Sequence, residues 1–448
     1  MEQIVRRVND SPTARWTVLF IVATAMMMGY FVNDVMSPLE TLLEAPRSEG
    51  GLGWTPSDYG FFSGAGSFIN VFLLMLFFSG IILDKMGVRF TGTLACSLMV
   101  LGVLIKLYGI TADFGDSQFL LFNSQFAIPK SVAVASLGFS IFGVGYEMCG
   151  ISVSKAMVRW FTGHELALAM GLQLAMARLG TAAALSISAP IAQRYQLSTP
   201  LLVSLAFLII GLLAFLVFCV MDRRLDETHT AVSTSDNSEE FRLRDIGTIL
   251  HNPGFWLITA FVVLFYSAVS PFLKFATKLL IVKYGIDPDI AGFFTSIAPF
   301  GTMLLTPLFG SFYDRRGHGV TLVIIGTAML AFVHFGFALP VHGSLFALTL
   351  MVVLAIGYSL APAALWPCVP KIIPLKCLGT AYSLIFFIQN FGRAIIPMLV
   401  GKANEHNPSY TSGMLIFAFT ALCAMASAAC LLIIDRRMGY GLQKPNIR

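Results

Sequence analysis

Residues 80–89 read GIILDKMGVR, and residues 310–319 read GSFYDRRGHG. Both stretches contain Gly-x-x-x-Asp-Lys/Arg-x-Gly, and each follows a long apolar run. The glycines permit close helix contact and a tight turn, while the aspartate can pair with a cation or with a helix N-terminus. The repeat predicts two similar halves that meet and separate at one face under the control of Gly80, Asp84, Arg89, Asp314 and Arg315.

The composition of the chain places both motifs beside membrane-spanning helices. Of its 448 residues, 56% are hydrophobic and 12% are charged, whereas soluble domains carry about 25% charged residues. Apolar runs of roughly 20 residues, the length that crosses the hydrocarbon core of a bilayer, recur along the whole chain. The sequence therefore predicts an all-α integral membrane protein with twelve transmembrane helices, at 16–36, 59–83, 91–112, 131–158, 165–189, 199–221, 254–284, 287–312, 320–340, 345–370, 379–400 and 412–434.

The longest polar segment divides the twelve spans into two sets of six. This gives a first half (1–221), a cytoplasmic linker (222–250) and a second half with a polar tail (251–448). If both termini are cytoplasmic, 18 of the 29 Lys and Arg residues fall on the inner side and 5 on the outer side. This distribution satisfies the positive-inside rule. The topology accounts for the net charge of +5, so no nucleic-acid partner is predicted.

Two charges lie near the middle of neighbouring spans: Glu147 in GVGYEMCG (143–150) and Arg178 in MARLG (176–180). A charge at the bilayer centre costs about 2.5–3.5 kcal/mol on insertion scales, so it should face the bundle interior and have a partner. One interpretation is a buried ion pair that holds the two helices together. The other is a site for a small zwitterion, in which Glu147 attracts the amine and Arg178 holds the carboxylate in a bidentate contact.

The repeated loop and the twelve spans in two halves resemble the major facilitator superfamily. This resemblance implies a substrate site between the halves and alternating access by rocking of one half against the other. It also implies that the first and seventh spans meet at an outer gate, where Asp34 is expected to contact Lys274 or Lys278. Either lysine can instead extend to the membrane interface, as is expected for Lys106 in the third span.

Several segments are similar to a family of lysosomal dipeptide transporters within that superfamily. They are RWFTGHELALAMGLQLAMARLG (159–180), FYSAVSPF (265–272), YSLAPAALWPCV (358–369) and LGTAYSLIFFIQNFG (378–392). The similarity implies a dipeptide uniporter in which Glu147 and Arg178 engage the two ends of the peptide, and in which Asp34 matches an acidic residue of the first helix. The residues predicted to bind substrate are Glu147, Arg178, Arg393, Asp34, Tyr146, Lys274, Tyr266 and Trp366, and Lys278 joins the predicted gating residues.

Arg393 departs from the pattern of that family, because an apolar residue is expected at its position. An additional cation favours a substrate with a second carboxylate. The alternative function is therefore a proton- or ion-coupled transporter of small organic anions, with Arg178, Arg393 and Lys274 as the anion site and Glu147 as the proton carrier. A receptor or membrane enzyme is a third hypothesis, but the sequence contains no nucleophile–base set, metal cluster or phosphate loop. No enzymatic activity, metal or cofactor is predicted.

The N-terminal stretch MEQIVRRVNDSPTARW contains no acidic dileucine signal of the kind that the lysosomal family carries. Together with the short predicted loops, this favours the cytoplasmic membrane of a bacterium. The expected assembly is a monomer in the lipid bilayer, and the sequence does not identify an accessory subunit.

Overall fold

The computed structural model describes residues 11–115, 117–121, 126–161, 165–229, 247, 249–374, 378–407 and 409–445. Most of them are helical, as the apolar runs predict. The α-helices are α1 (Pro12–Asp34), α2 (Glu40–Glu44), α3 (Pro56–Ala65), α4 (Phe68–Phe72), α5 (Met75–Thr111), α6 (Lys130–Phe161), α7 (Leu166–Arg194), α8 (Thr199–His229), α9 (Pro253–Tyr284), α10 (Pro288–Arg316), α11 (Gly319–Ala338), α12 (Ser344–Leu365), α13 (Val369–Ile372), α14 (Leu378–His406) and α15 (Thr411–Met438).

The predicted span 59–83 is a broken crossing. It is formed by α3, α4 and the first part of α5, and Leu74 between the last two has a left-handed φ of 54°. Neighbouring side chains of α6 bond the interrupted backbone: the Ser140 hydroxyl donates to the Ala65 carbonyl at 2.7 Å. Irregular backbone is tolerated inside a membrane where protein or a cavity surrounds it. The other eleven predicted spans correspond to helices that are long and apolar enough to cross a bilayer, so the predicted all-α membrane fold is confirmed.

The second glycine of each repeated motif occupies the same kind of turn. Gly87 has φ 78° and breaks α5, and Gly317 has φ 72° and ends α10. An L-residue with a side chain is strained at such angles, whereas glycine is not. The repeat therefore specifies the point at which one crossing ends and the next begins in each half.

Two loop regions differ from their prediction. The predicted linker starts inside a helix, because α8 continues to His229; residues 230–246 and 248 lie outside the described part of the chain. The loop between α5 and α6 contains an unpredicted antiparallel hairpin, β1 (Gln118–Leu121) and β2 (Phe126–Pro129), with Phe119 opposite Ile128. Strands this short carry too few residues to show an alternating pattern in sequence.

The two halves are in close contact on one side of the molecule. We call the side that carries the start of α1 and the end of α15 the terminal face, and the other side the opposite face. Near the opposite face, α3 crosses α14 so closely that a Cβ on Gly60 would lie 2.5 Å from the Pro397 carbonyl oxygen and 3.0 Å from Gly401 Cα. At the second crossing, between α7 and α10, a Cβ on Gly292 would lie 2.1 Å from the Leu185 carbonyl oxygen. The opposite face is thus closed in this conformation.

Gly60→Ala is expected to lower the melting temperature of the purified protein by several degrees. The added methyl group meets backbone atoms that cannot rotate away, and overpacking of this kind costs about 1–3 kcal/mol. Gly171→Ala is the matched control, since nothing lies within 4 Å of its added Cβ and alanine favours a helix over glycine by about 1 kcal/mol. Equal melting temperatures for the two variants would contradict the close crossing.

Candidate functional site

A cavity of about 130 Å³ lies between the halves, beside the break between α3 and α4. One water needs about 10–15 Å³ on this measure, so the cavity has room for a small solute. Its walls come from both halves, and polar or charged side chains provide much of the lining. The predicted residues in the wall are Asp34, Tyr146, Arg178, Tyr266, Lys274 and Arg393.

Arg178 is the cation of the cavity that has no acidic partner. Its Nη1 donates to the Tyr358 hydroxyl at 3.0 Å, and its guanidinium lies 5.3 Å from the centre of the same ring. Among the described residues no carboxylate lies within 4 Å of it. A guanidinium has five N–H donors in a planar fork, and one bond to a hydroxyl leaves most of them available. Arg178 is therefore positioned to bind an anionic group of a solute.

Glu147 is bonded to Arg393 and not to Arg178. Arg393 Nη1 donates to Glu147 Oε1 at 2.8 Å, and each side chain is about one-fifth exposed. The pair joins α6 of the first half to α14 of the second. Arg393 forms part of the cavity wall, whereas Glu147 lies behind it and is bonded to it. Arg393, which departs from the pattern of the resembled family, is thus the partner of Glu147, the acid that was predicted to bind an amine.

A second cross-half pair lies between the cavity and the opposite face. Lys274 Nζ is 2.6 Å from Asp34 Oδ1 and also donates to the Asn33 carbonyl at 2.5 Å. The Thr181 hydroxyl donates to the other oxygen of Asp34 at 2.8 Å. Asp34 therefore meets Lys274, which is one of its two predicted partners. Asp34 thus accepts hydrogen bonds from both α7 and α9, and also from the side chain of Asn33 at 3.0 Å.

Lys278 and Lys106 have different surroundings from those expected. Lys278 contacts Glu40 and Glu44 of α2, two acids that lie between the predicted spans 16–36 and 59–83. Lys106 is fully buried, so its predicted extension to the interface is wrong. Its Nζ is 3.4 Å from the Val32 carbonyl and 5.0 Å from the centre of the Phe139 ring. Hydropathy gave no sign of this site, because a lysine near a span end is normally exposed.

Aromatic and amide side chains complete the cavity. The Tyr146 and Tyr30 rings meet edge to face with their centroids 5.0 Å apart, and both line the wall with Tyr266. Trp366 reaches the cavity through Tyr266, to whose hydroxyl its Nε1 donates at 3.3 Å. Gln389 was not predicted, yet it lines the cavity and its buried Oε1 has no hydrogen-bond partner. Its position one helical turn before Arg393 is the sequence signal that could have identified it.

The repeated motif lies away from the cavity. Arg89 is 2.7 Å from Asp226, which belongs to the same half, so this contact does not join the halves. Arg315 is exposed and Asp314 half-buried on the terminal face, and nothing lies within 4 Å of a Cβ built on Gly80. The side chain of Asp84 lies outside the described part of the structure.

The cavity is closed on the side of the opposite face. The Asp34–Lys274 pair and the two helix crossings between the halves lie on that side. Two helical bundles that meet at one face around a small charged cavity define a multi-pass membrane transporter and not an enzyme.

The chain belongs to the major facilitator superfamily, whose sequence profile matches residues 19–397. It is similar to the lysosomal dipeptide transporter MFSD1 of Danio rerio, with 28% identity over 81% of this chain and 76% of that protein. The same transporter of Homo sapiens is 26% identical over 83% of this chain and 77% of that protein. A crystal structure of a D-xylose-proton symporter matches with a TM-score of 0.68, covering 93% of this chain and 97% of that one; at 14% identity it shows the fold alone. Both transporter relatives are animal proteins and give no support to the predicted bacterial origin.

Proposed function

We propose that this transporter carries dipeptides down their concentration gradient by alternating access. The observation that carries the proposal is that Arg178, in a cavity that also contains charges of both signs, has no carboxylate partner among the described residues. A dipeptide needs a cation for its carboxylate and an acid for its amine, and this cavity borders on both. The similarity to dipeptide transporters over about four-fifths of the chain supports the same substrate class.

The amine of the substrate is expected to replace a protein cation. Glu147 is bonded to Arg393 in this conformation, and a primary ammonium forms the same charge-assisted hydrogen bonds as a guanidinium. We propose that the amine takes over Glu147 while the carboxylate binds Arg178 and the released Arg393. A buried carboxylate would then have a cation partner at every stage, which avoids the cost of an unpaired charge.

Gln389 is suited to the peptide bond between the two ends. Its side-chain amide offers one acceptor and two donors, and its Oε1 is buried without a partner beside the cavity. The amide of a dipeptide supplies the complementary N–H and C=O groups. A free amino acid lacks them and leaves this side chain unsatisfied, at a cost of about 1–3 kcal/mol. This provides a physical basis for preferring dipeptides over single amino acids.

A second candidate function is the transport of small organic anions with proton or ion coupling. It is favoured by the excess of cations in the cavity wall, where Arg178, Arg393 and Lys274 face one carboxylate, Asp34. Uniport is the simpler proposal, because Asp34 and Glu147 are each bonded to a cation and need no proton for charge balance. We further propose cytoplasmic termini and a monomer; the bacterial cytoplasmic membrane remains a prediction from the short loops.

Alanyl-leucine is expected to raise the melting temperature of the purified protein by a few degrees, since a ligand at 100 times its Kd stabilises by about 2.7 kcal/mol. The N-acetylated and C-amidated forms of this peptide should produce little shift, because each lacks one charged end. In proteoliposomes with equal pH on both sides, the peptide should equilibrate without acidifying the lumen. A shift with succinate but not with the peptide would favour the anion transporter, and lumen acidification during peptide entry would contradict uniport.

A further inference from the structure

A second group of buried charges closes the opposite face, away from the substrate cavity. Lys278 of α9 lies 3.3 Å from Glu40 Oε1 and also contacts Glu44 Oε2. The side chain of Glu40 is fully buried, and those of Lys278 and Glu44 are 8% and 18% exposed. We call these three residues the gate cluster. The cavity wall does not include them.

The charges of the gate cluster do not balance if both acids are ionised. One ammonium then faces two carboxylates, and Glu40 Oε2 and Glu44 Oε1 are buried without a hydrogen-bond partner. Among the described residues, the other groups that face the cluster are Tyr59 and Asp58 of α3 and Tyr410 before α15, and none of these is a cation. The nearest lysine on α9, Lys274, is bonded to Asp34.

We propose that Glu40 and Glu44 share one bound proton while the opposite face is closed. A protonated carboxyl group supplies the missing donor for an unpartnered oxygen and reduces the buried charge to one carboxylate and one ammonium. The proposal assigns a proton-binding site outside the substrate cavity and does not depend on the identity of the substrate.

The position of the gate cluster determines where its proton goes. When α2 separates from α9, both carboxylates meet water at the opposite face and ionise as ordinary glutamates do. The proton returns to the face from which it came, so it is not carried with the substrate. Acid on the opposite face therefore stabilises the closed conformation without driving transport, which is compatible with a uniporter.

Glu44→Gln provides the test, since the amide retains the shape and the hydrogen bonds of a protonated carboxyl group. At pH 5 the wild-type protein and the variant should melt at similar temperatures. As the pH rises to 8, the wild-type pair loses its proton or retains it at increasing cost, so the wild type should melt a few degrees below the variant. Glu49→Gln, at an exposed site, should follow the wild type at each pH. A variant that melts below the wild type by the same amount at both pH values would overturn the proposal, because the lost charge would then be a simple ion-pair partner.

The accessibility of the opposite face provides a second test of the proposed proton site, which requires neither a melting measurement nor a substrate. Ser37, between α1 and α2, is 2% exposed, and Ser37→Cys should react with a membrane-impermeant maleimide when the opposite face opens. The labelling rate of Ser37→Cys, divided by that of the double variant Ser37→Cys/Glu40→Gln, should rise several-fold between pH 5 and pH 8. A constant ratio would overturn the proposal. Because neither measurement involves a dipeptide, failure of the proposed substrate would leave this test unaffected.

Discussion

Arg178→Ala is expected to abolish transport of alanyl-leucine, with an initial rate reduced on the order of 100-fold or more. The side chain is the cavity's cation without an acidic partner, and a hydrogen bond to a charged group contributes about 1.5–3 kcal/mol. A bidentate contact to a carboxylate contains two such bonds. Each 1.4 kcal/mol corresponds to a factor of ten in affinity. The measurement is peptide uptake into proteoliposomes that contain equal amounts of each protein.

Arg178→Lys and Tyr358→Phe separate charge from geometry. The lysine variant retains a positive charge but loses the planar fork, so it should recover part of the uptake. Removing the Tyr358 hydroxyl deletes the 3.0 Å bond that orients the guanidinium, and a modest loss of a few-fold is expected. All three variants should melt close to the wild type, because none breaks an ion pair. Full uptake by Arg178→Ala would show that the carboxylate binds elsewhere, with Arg393 as the next candidate.

Span length and charge position are local properties of the sequence, and they were predictable. Runs of apolar residues located the helices, and single charges within them drew attention to Arg178, Asp34 and Lys274, which lie in the cavity wall; their predicted role in substrate binding stays a prediction. The break at Leu74 was not predictable from hydropathy, because residues 68–75 around it, FINVFLLM, are almost all apolar. At the earlier interruption, between α3 and α4, Ser140 bonds the Ala65 carbonyl, a tertiary contact that a hydropathy pattern does not record.

Pairing between distant charges was the part of the site that sequence could not specify. Glu147 and Arg178 were associated because their helices are neighbours in the chain, whereas the observed partner of Glu147 is 246 residues away. To choose the partner of Glu147 among Arg178, Arg393 and Lys274, one must know how several helices are rotated about their axes. The sequence pattern does not specify these rotations. Glu40 and Glu44 were missed for a related reason. Their short helix follows the first span and has the sequence of a polar loop. Only the folded structure shows that it packs against Lys278.

Glu147→Gln is expected to reduce alanyl-leucine uptake about as strongly as Arg178→Ala, because the proposed amine site loses its charge. That result alone is ambiguous, since the variant also leaves Arg393 without its partner. Breaking a fully buried pair from one side costs about 3–5 kcal/mol. This pair is about one-fifth exposed, so a smaller cost is expected, and the melting temperature should still fall. The double variant Glu147→Gln/Arg393→Leu removes the unpaired cation and should recover much of the lost stability.

Uptake by the double variant distinguishes a structural pair from a substrate site. If the Glu147–Arg393 pair only joins α6 to α14, recovered stability should bring recovered transport, because the double variant leaves neither charge without its partner. If Glu147 binds the substrate amine, the double variant should be folded and inactive, because the acid proposed to bind the ammonium group is absent. Arg393→Leu alone completes the cycle of variants. In a dipeptide transporter it leaves Glu147 available for the amine, so measurable peptide uptake is expected. In an anion transporter it removes a binding cation, so most of the flux should be lost. Recovered uptake in the double variant would exclude Glu147 from the binding site and leave Asp34 as the acid for the amine.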